Sequence, residues 1–95
     1  MDPFPTQSTL DFYRRRACEA CDEARHSLQQ VLEDRARRGE SVPRVRYVDV
    51  DADPALSASH GPRLPVLAVA GQELSLCGSY RQIALFLERT LPRLA

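Results

Sequence analysis

The chain has 95 residues, of which 43% are hydrophobic and 27% charged, and its 13 basic and 13 acidic side chains cancel. That length holds one domain and excludes a second core, and a zero net charge does not imply a bulk electrostatic partner, so no nucleic acid is expected. No apolar run approaches the ~20 residues of a membrane helix, so no membrane partner is expected.

The opening Met1-Asp-Pro-Phe-Pro-Thr-Gln has neither the basic start nor the apolar stretch of a secretory signal. Residues 1–7 are expected to be a flexible tail, and 8–95 a single domain that works as a monomer. Thr9-Leu10-Asp11-Phe12-Tyr13 is short and rich in strand-favouring residues. A loop of three arginines follows, and then a helix, in which Cys21, Ala24, Leu28, Val31 and Leu32 recur at helical spacing. Gly39 marks its stop. Val45 to Val50 predicts a second strand, apolar on both faces and therefore expected in the middle of a sheet. Asp53 as N-cap, Pro54 at the first helical position and Gly61 at the end bound a short second helix. "LPVLAVA" predicts a third strand, and Ala70-Gly71-Gln72 turns the chain into a fourth, "ELSLC". Ser79 with Gln82 makes a capping box for a last helix striped by Ile83, Phe86, Leu87 and Leu91. The order is β-α-β-α-β-β-α, with the first two strands parallel and the last two antiparallel.

Two of the three cysteines, Cys18 and Cys21, stand two residues apart where the arginine loop meets the first helix. An odd cysteine count argues against a secreted disulfide framework and points to the cytoplasm, where a close pair is more often catalytic or metal-binding than structural. Three readings are open. The pair is half of a zinc site completed by Cys77 with His60 or His26, a static disulfide, or a pair that exchanges electrons. A helix start favours the last. Its unpaired N–H groups and partial positive charge stabilise a thiolate, which is the nucleophilic form. At i, i+3 the sulfurs share one side of the turn, so Cys18 at the mouth attacks and Cys21, one turn in, resolves. Arg14, Arg15 and Arg16 act with the helix end, whereas Glu19, Asp22 and Glu23 act against it. Cys77 reads as a small buried hydrophobe. His26 reads as a solvated surface residue and His60 as a cation at a helix C-terminus.

The strand-loop-"CEAC"-helix unit, "DVDADPALSASHGPRLPVL" and "CGSYRQI" resemble the thioredoxin superfamily, and within it the small glutaredoxin-like proteins, over residues 8 to 90. The resemblance implies a thioredoxin-like α/β fold with a four-stranded mixed sheet and helices on both faces. It implies a cis peptide bond at Pro65, with the backbone of Leu64 exposed to pair with a substrate strand. It also implies glutathione as a possible co-substrate, with no bound cofactor and no metal. Arg15, three residues before Cys18, would then help to hold glutathione, and Ser79 and Tyr80 would receive its γ-glutamyl carboxylate at a helix start. Asp11 takes the place of a proton-transferring aspartate, one residue further from the nucleophile than in thioredoxins. Two departures stand out: Glu19-Ala20 inside the motif instead of proline-tyrosine, and no acid after Ser79.

Together these features predict a thiol-disulfide oxidoreductase that supports cell redox homeostasis. Its expected substrates are disulfides in proteins or small molecules, and its electron donor is glutathione or a reductase. A thioredoxin-fold binding module without turnover and a protein that handles metal or clusters are the alternatives.

Overall fold

A computed structural model describes residues 8–91, so the tail expected over residues 1–7 and the last four residues lie outside it. Four strands, β1 (Thr9–Arg14), β2 (Arg44–Asp49), β3 (Val66–Val69) and β4 (Gln72–Ser75), form one sheet in the order β2-β1-β3-β4. β1 and β2 are parallel, and both β1–β3 and β3–β4 are antiparallel. The helices are α1 (Glu19–Arg37), α2 (Pro54–His60) and α3 (Tyr80–Thr90), and short 3₁₀ turns at Val50–Ala52 and Gly61–Arg63 flank α2. No helix of the described residues is long and apolar enough to cross a membrane.

Alternation along β1 divides the sheet into two unlike faces. Leu10 and Phe12 point to one side, where they join Leu67 and Val69 of β3. Cys21, Ala24, Leu28 and Val31 of α1 and Ile83, Phe86 and Leu87 of α3 complete that core, and all of these side chains are buried. The apolar stripes read from the two long helices are thus the surfaces that meet the sheet. Asp11 and Tyr13 point to the other side, where the Tyr13 ring stacks on His60 at the end of α2, 4.1 Å between centroids. His60 Nε2 and Glu73 Oε2 of β4 are 2.8 Å apart, and Arg63 donates to Glu73 Oε1 and to Ser75 Oγ. α2 has no buried residue of its own. His60 is therefore tied to the sheet rather than serving only as a helix-end cation.

The expected middle position of the second strand is corrected: β2 is an edge. Its apolar residues divide between the faces. Val45 and Tyr47 lie in register with Leu10 and Phe12, and Val48 with Tyr13. Tyr47 leans on Phe12, 5.4 Å between ring centroids, yet stays 52% exposed. Arg44 and Arg46 charge this edge, a usual defence against pairing with another chain. A both-faced apolar run means burial only if both neighbouring strand positions are filled, and here β1 takes the middle.

Two chain reversals depend on special backbone. Gly39 follows α1 with φ 73, in the left-handed region expected of a stop. The β3–β4 hairpin turns on Ala70 and Gly71, with φ 53 and 79, the paired positive angles of a two-residue turn. Alanine is poorly suited to that position, so Ala70→Asn is expected to stabilise the chain by about 0.5–1 kcal/mol, read as a rise in Tm of a few degrees. An unchanged or lowered Tm would count against this reading of the turn. Gly61, in contrast, has φ −49 and does not end α2 by a left-handed turn. Its backbone continues into the 3₁₀ turn, and its lack of a side chain leaves room for the Arg15 guanidinium.

Candidate active site

Cys18 is the N-cap residue of α1, with extended backbone (φ −112, ψ 102), and its Sγ accepts the Cys21 amide at 3.1 Å. The sulfur thus does the work usually given to a Ser or Asp oxygen, taking one of the unpaired donors of the first turn. Cys18 and Cys21 form a disulfide, with Cα atoms 5.1 Å apart. Their surroundings differ. Cys21 is 1% exposed and part of the main core, whereas Cys18 is half-buried and packs against that core from outside. Ala17, just before Cys18, has φ 51.

The second wall is the segment before β3. The Leu64–Pro65 bond is cis, as the resemblance implies, and Pro65 is buried. Leu64 is extended (φ −63, ψ 146) and packs against the same core as the cysteines. Its neighbours are pinned to the chain after β4. Leu76 N–H donates to the Arg63 carbonyl at 2.9 Å and Cys77 N–H to the Pro65 carbonyl at 3.3 Å. Leu64 is left between two anchored residues with its backbone in strand conformation.

Cys77 lies under this wall, 1% exposed, its Sγ 3.5 Å from the Pro65 carbonyl oxygen. Burial pushes its thiol up to about 11. At pH 7 such a group is thiolate in about one molecule in ten thousand. Native protein is therefore expected to leave Cys77 unmodified by iodoacetamide while Cys18 reacts once reduced, as peptide mass mapping would show. Comparable labelling of both thiols would refute the inert reading.

Other residues expected at the site are placed as follows. Asp11 does not reach the pair. It sits on the face opposite the core that holds Cys21, where Arg46 Nε and Nη2 donate to its two carboxylate oxygens at 2.9 and 3.1 Å. The single residue of difference in spacing is the cause, because each step along a strand reverses the side chain. Tyr80 opens α3 but turns away along α1, its hydroxyl donating to Asp34 Oδ2 at 2.5 Å. That bond raises the Tyr80 pKa and, with the contact from Arg37, lowers that of Asp34. Ser79 does cap α3, its Oγ accepting the Gln82 amide at 3.1 Å. The other half of the capping box has a consequence the sequence pattern alone did not show. Gln82 Oε1 accepts the amides of Gly78 and Ser79 at 3.2 and 3.3 Å, taking donors that an incoming carboxylate would need. The adjoining groove, about 470 Å³, is lined by Asp22, Glu23, His26, Ser27 and Gly78. Arg15 is engaged with Asp51 and Ser57. Among the described residues no three His, Cys, Asp or Glu side chains stand together as a metal-ligand group, so Cys77, His60 and His26 do not assemble with the pair.

Leu76 was not singled out by sequence reasoning. It is 66% exposed, has φ 52, and stands between the anchored Arg63 contact and Cys77. Nothing in a leucine at a strand end announces an exposed, left-handed residue.

A sheet of this order, with a cysteine pair at the first helix start and a cis proline opening β3, defines a thioredoxin-fold protein carrying a CxxC site. The chain matches the model of the glutaredoxin-like domain (DUF836) over residues 9–92, and it belongs to that family. Among solved structures it resembles the structural-genomics target XcR50 from X. campestris. The X-ray structure of that protein is 31% identical, with a TM-score of 0.69, covering 84% of this chain and 96% of that one. A solution structure of the same target is 29% identical, with a TM-score of 0.65, covering 90% and 97%. A chloroplastic thioredoxin z is 25% identical, with a TM-score of 0.60, covering 88% of this chain and 78% of that one. No curated protein matches the sequence significantly. Family, fold and cysteine pair together support a thioredoxin-like redox role.

Proposed function

We propose that the protein is a dithiol–disulfide oxidoreductase in which Cys18 is the nucleophile and Cys21 the resolving thiol. The observation that carries this is the unequal placing of the two sulfurs: Cys18 half-buried and receiving a backbone N–H, Cys21 in the core. A thiolate at Cys18 inherits that N–H bond and the favourable helix end. The extended backbone of Leu64 offers an edge to which a substrate strand adds by main-chain hydrogen bonds. Protein disulfides fit this surface best, with Leu76 as an apolar contact beside the pinned segment. The donors held by Gln82 and the carboxylates of Asp22 and Glu23 disfavour glutathione, which carries two carboxylates, so a dithiol is the better electron donor.

Reduction of a protein disulfide and of a small-molecule disulfide tests the reading, each with a dithiol and with glutathione as donor. Turnover with the dithiol is expected; no turnover with either donor would overturn the assignment. Leu76→Gly is expected to slow the protein substrate about tenfold, since burying such a leucine contributes about 1.5 kcal/mol. A small disulfide without neighbouring side chains should be unaffected. Equal losses for both substrates would remove Leu76 from the docking surface.

A further inference from the structure

Arg15 has a seat built for it. Its Nε lies 3.1 Å from each oxygen of Asp51 and its Nη2 donates to Ser57 Oγ at 3.2 Å. Asp51 is itself steadied, its amide donating to Asp49 Oδ1 at 2.9 Å. Gly61 supplies room. A Cβ at that position would stand 3.0 Å from Arg15 Nη2 and 3.7 Å from Ser57 Oγ. Residues from the 3₁₀ turn before α2, from α2 itself and from the turn after it thus converge on one guanidinium.

Two residues downstream, Ala17 takes a left-handed backbone and delivers Cys18 to the first turn of α1. Such a conformation is disfavoured for alanine and persists only where both ends of the segment are held. Downstream, the hold is the cap between Cys18 Sγ and the Cys21 amide. Upstream, it is Arg15. Its charge is matched by Asp51, so neither a bare field at the sulfur nor a free hand for substrate describes it well.

We propose that Arg15 is a positioning residue: seated by Asp51 and Ser57, it anchors the loop before Cys18 and keeps that sulfur on the first turn of α1. The proposal rests on the oxidoreductase reading for its kinetic consequence, but the anchoring is readable on Cys18 alone. Arg14, Arg16, Glu19, Asp22 and Glu23, the other charges on the loop and first turn, stay constant across the variants named below.

The experiment measures the pH dependence of Cys18 alkylation in the reduced full chain for wild type, Arg15→Gln, Asp51→Asn and Ser57→Ala. Loosening the loop costs the thiolate its backbone donor. All three variants are therefore expected to shift the Cys18 pKa upward, lowering its thiolate fraction at pH 7 about threefold or more. In exchange assays kcat should fall with KM unchanged, and Arg15→Asp combined with Asp51→Arg should recover part of the loss. A direct field effect gives a different pattern: Arg15→Gln raises the pKa, Asp51→Asn lowers it and Ser57→Ala does nothing. A grip on substrate gives another: only KM changes, and only for Arg15→Gln. Either pattern would overturn the proposal. Ser57→Ala, the mildest change, keeps the test decisive if a charge variant fails to fold. Wild type without exchange activity would sink the oxidoreductase reading while leaving the alkylation profiles to judge the anchor.

Discussion

Cys18→Ser is expected to abolish disulfide exchange, by at least about a thousandfold, because a hydroxyl offers no comparable nucleophile at neutral pH. Cys21→Ser should behave differently. In the proposed cycle the Cys18 thiolate attacks one sulfur of the substrate disulfide. That S–S bond breaks, and one substrate sulfur leaves as a thiolate that takes up a proton. The remaining mixed disulfide is then opened by Cys21, which gives up its proton and bonds to Cys18 Sγ, so that the chain is oxidised by two electrons and the substrate reduced by two. Asp11 lies on the far face, bound to Arg46, so the Cys21 proton has no carboxylate of β1 to receive it. The departing substrate thiolate is the natural acceptor. With Cys21 replaced, the first step survives and the second does not, so the mixed disulfide should accumulate as a covalent adduct visible by non-reducing mass measurement. Adduct formation at Cys21 in a Cys18→Ser chain would refute the assignment, since that sulfur is 1% exposed.

Arg35→Ala is expected to cost about 3 kcal/mol of stability, a loss of the size usually seen for a large apolar core residue. Arg35 is the one charged side chain buried among the described residues, 4% exposed. Its Nε donates to the Ser41 carbonyl at 2.8 Å, Nη2 to Ser41 Oγ at 3.3 Å, and Nη1 lies 3.2 Å from Glu40 Oε2. These bonds hold the loop that brings the chain from α1 into β2. Truncation removes packing around the stem and takes from the Ser41 carbonyl its guanidinium donor. For a domain of this size the melting temperature should fall by roughly 12–24 °C. Arg35→Met, which keeps the stem, should lose less than half as much; equal losses would place the effect in the guanidinium's polar contacts alone. Urea or thermal unfolding measures both.

Much of the architecture was legible because it is written locally. The helical spacing of Cys21, Ala24, Leu28 and Val31 identified the face of α1 that meets the sheet, and Ser79 with Gln82 identified the start of α3. Cys18 and Cys21 were legible for the same reason, as spacing and placement at a helix start are local facts. What failed depended on partners distant in sequence. The edge position of β2 is decided by which strand β1 takes on its other side, and that strand lies far along the chain, Asp11 pairing with Ala68 and Tyr13 with Val66. The seat of Arg15 is made by Asp51, Ser57 and Gly61, and Arg46 claims Asp11 across the β1–β2 register. Nothing in the spacing of α1 sets Arg35 apart from the other arginines of the helix; its burial depends on the loop that folds back over it.

The two faces of the sheet also imply two grades of persistence. One side is a continuous apolar core that opens only when the whole molecule does. The other is joined by ion pairs, hydrogen bonds and the Tyr13–His60 stack around a small apolar contact at the buried Val66, with no buried side chain on α2 itself. Brief detachment of α2 would cost far less than global unfolding. It would release Arg15 as it happened, leaving the cysteine loop to relax while the core stayed whole. The redox pair thus stands at the border between a half of the protein held by a continuous core and a half held more lightly.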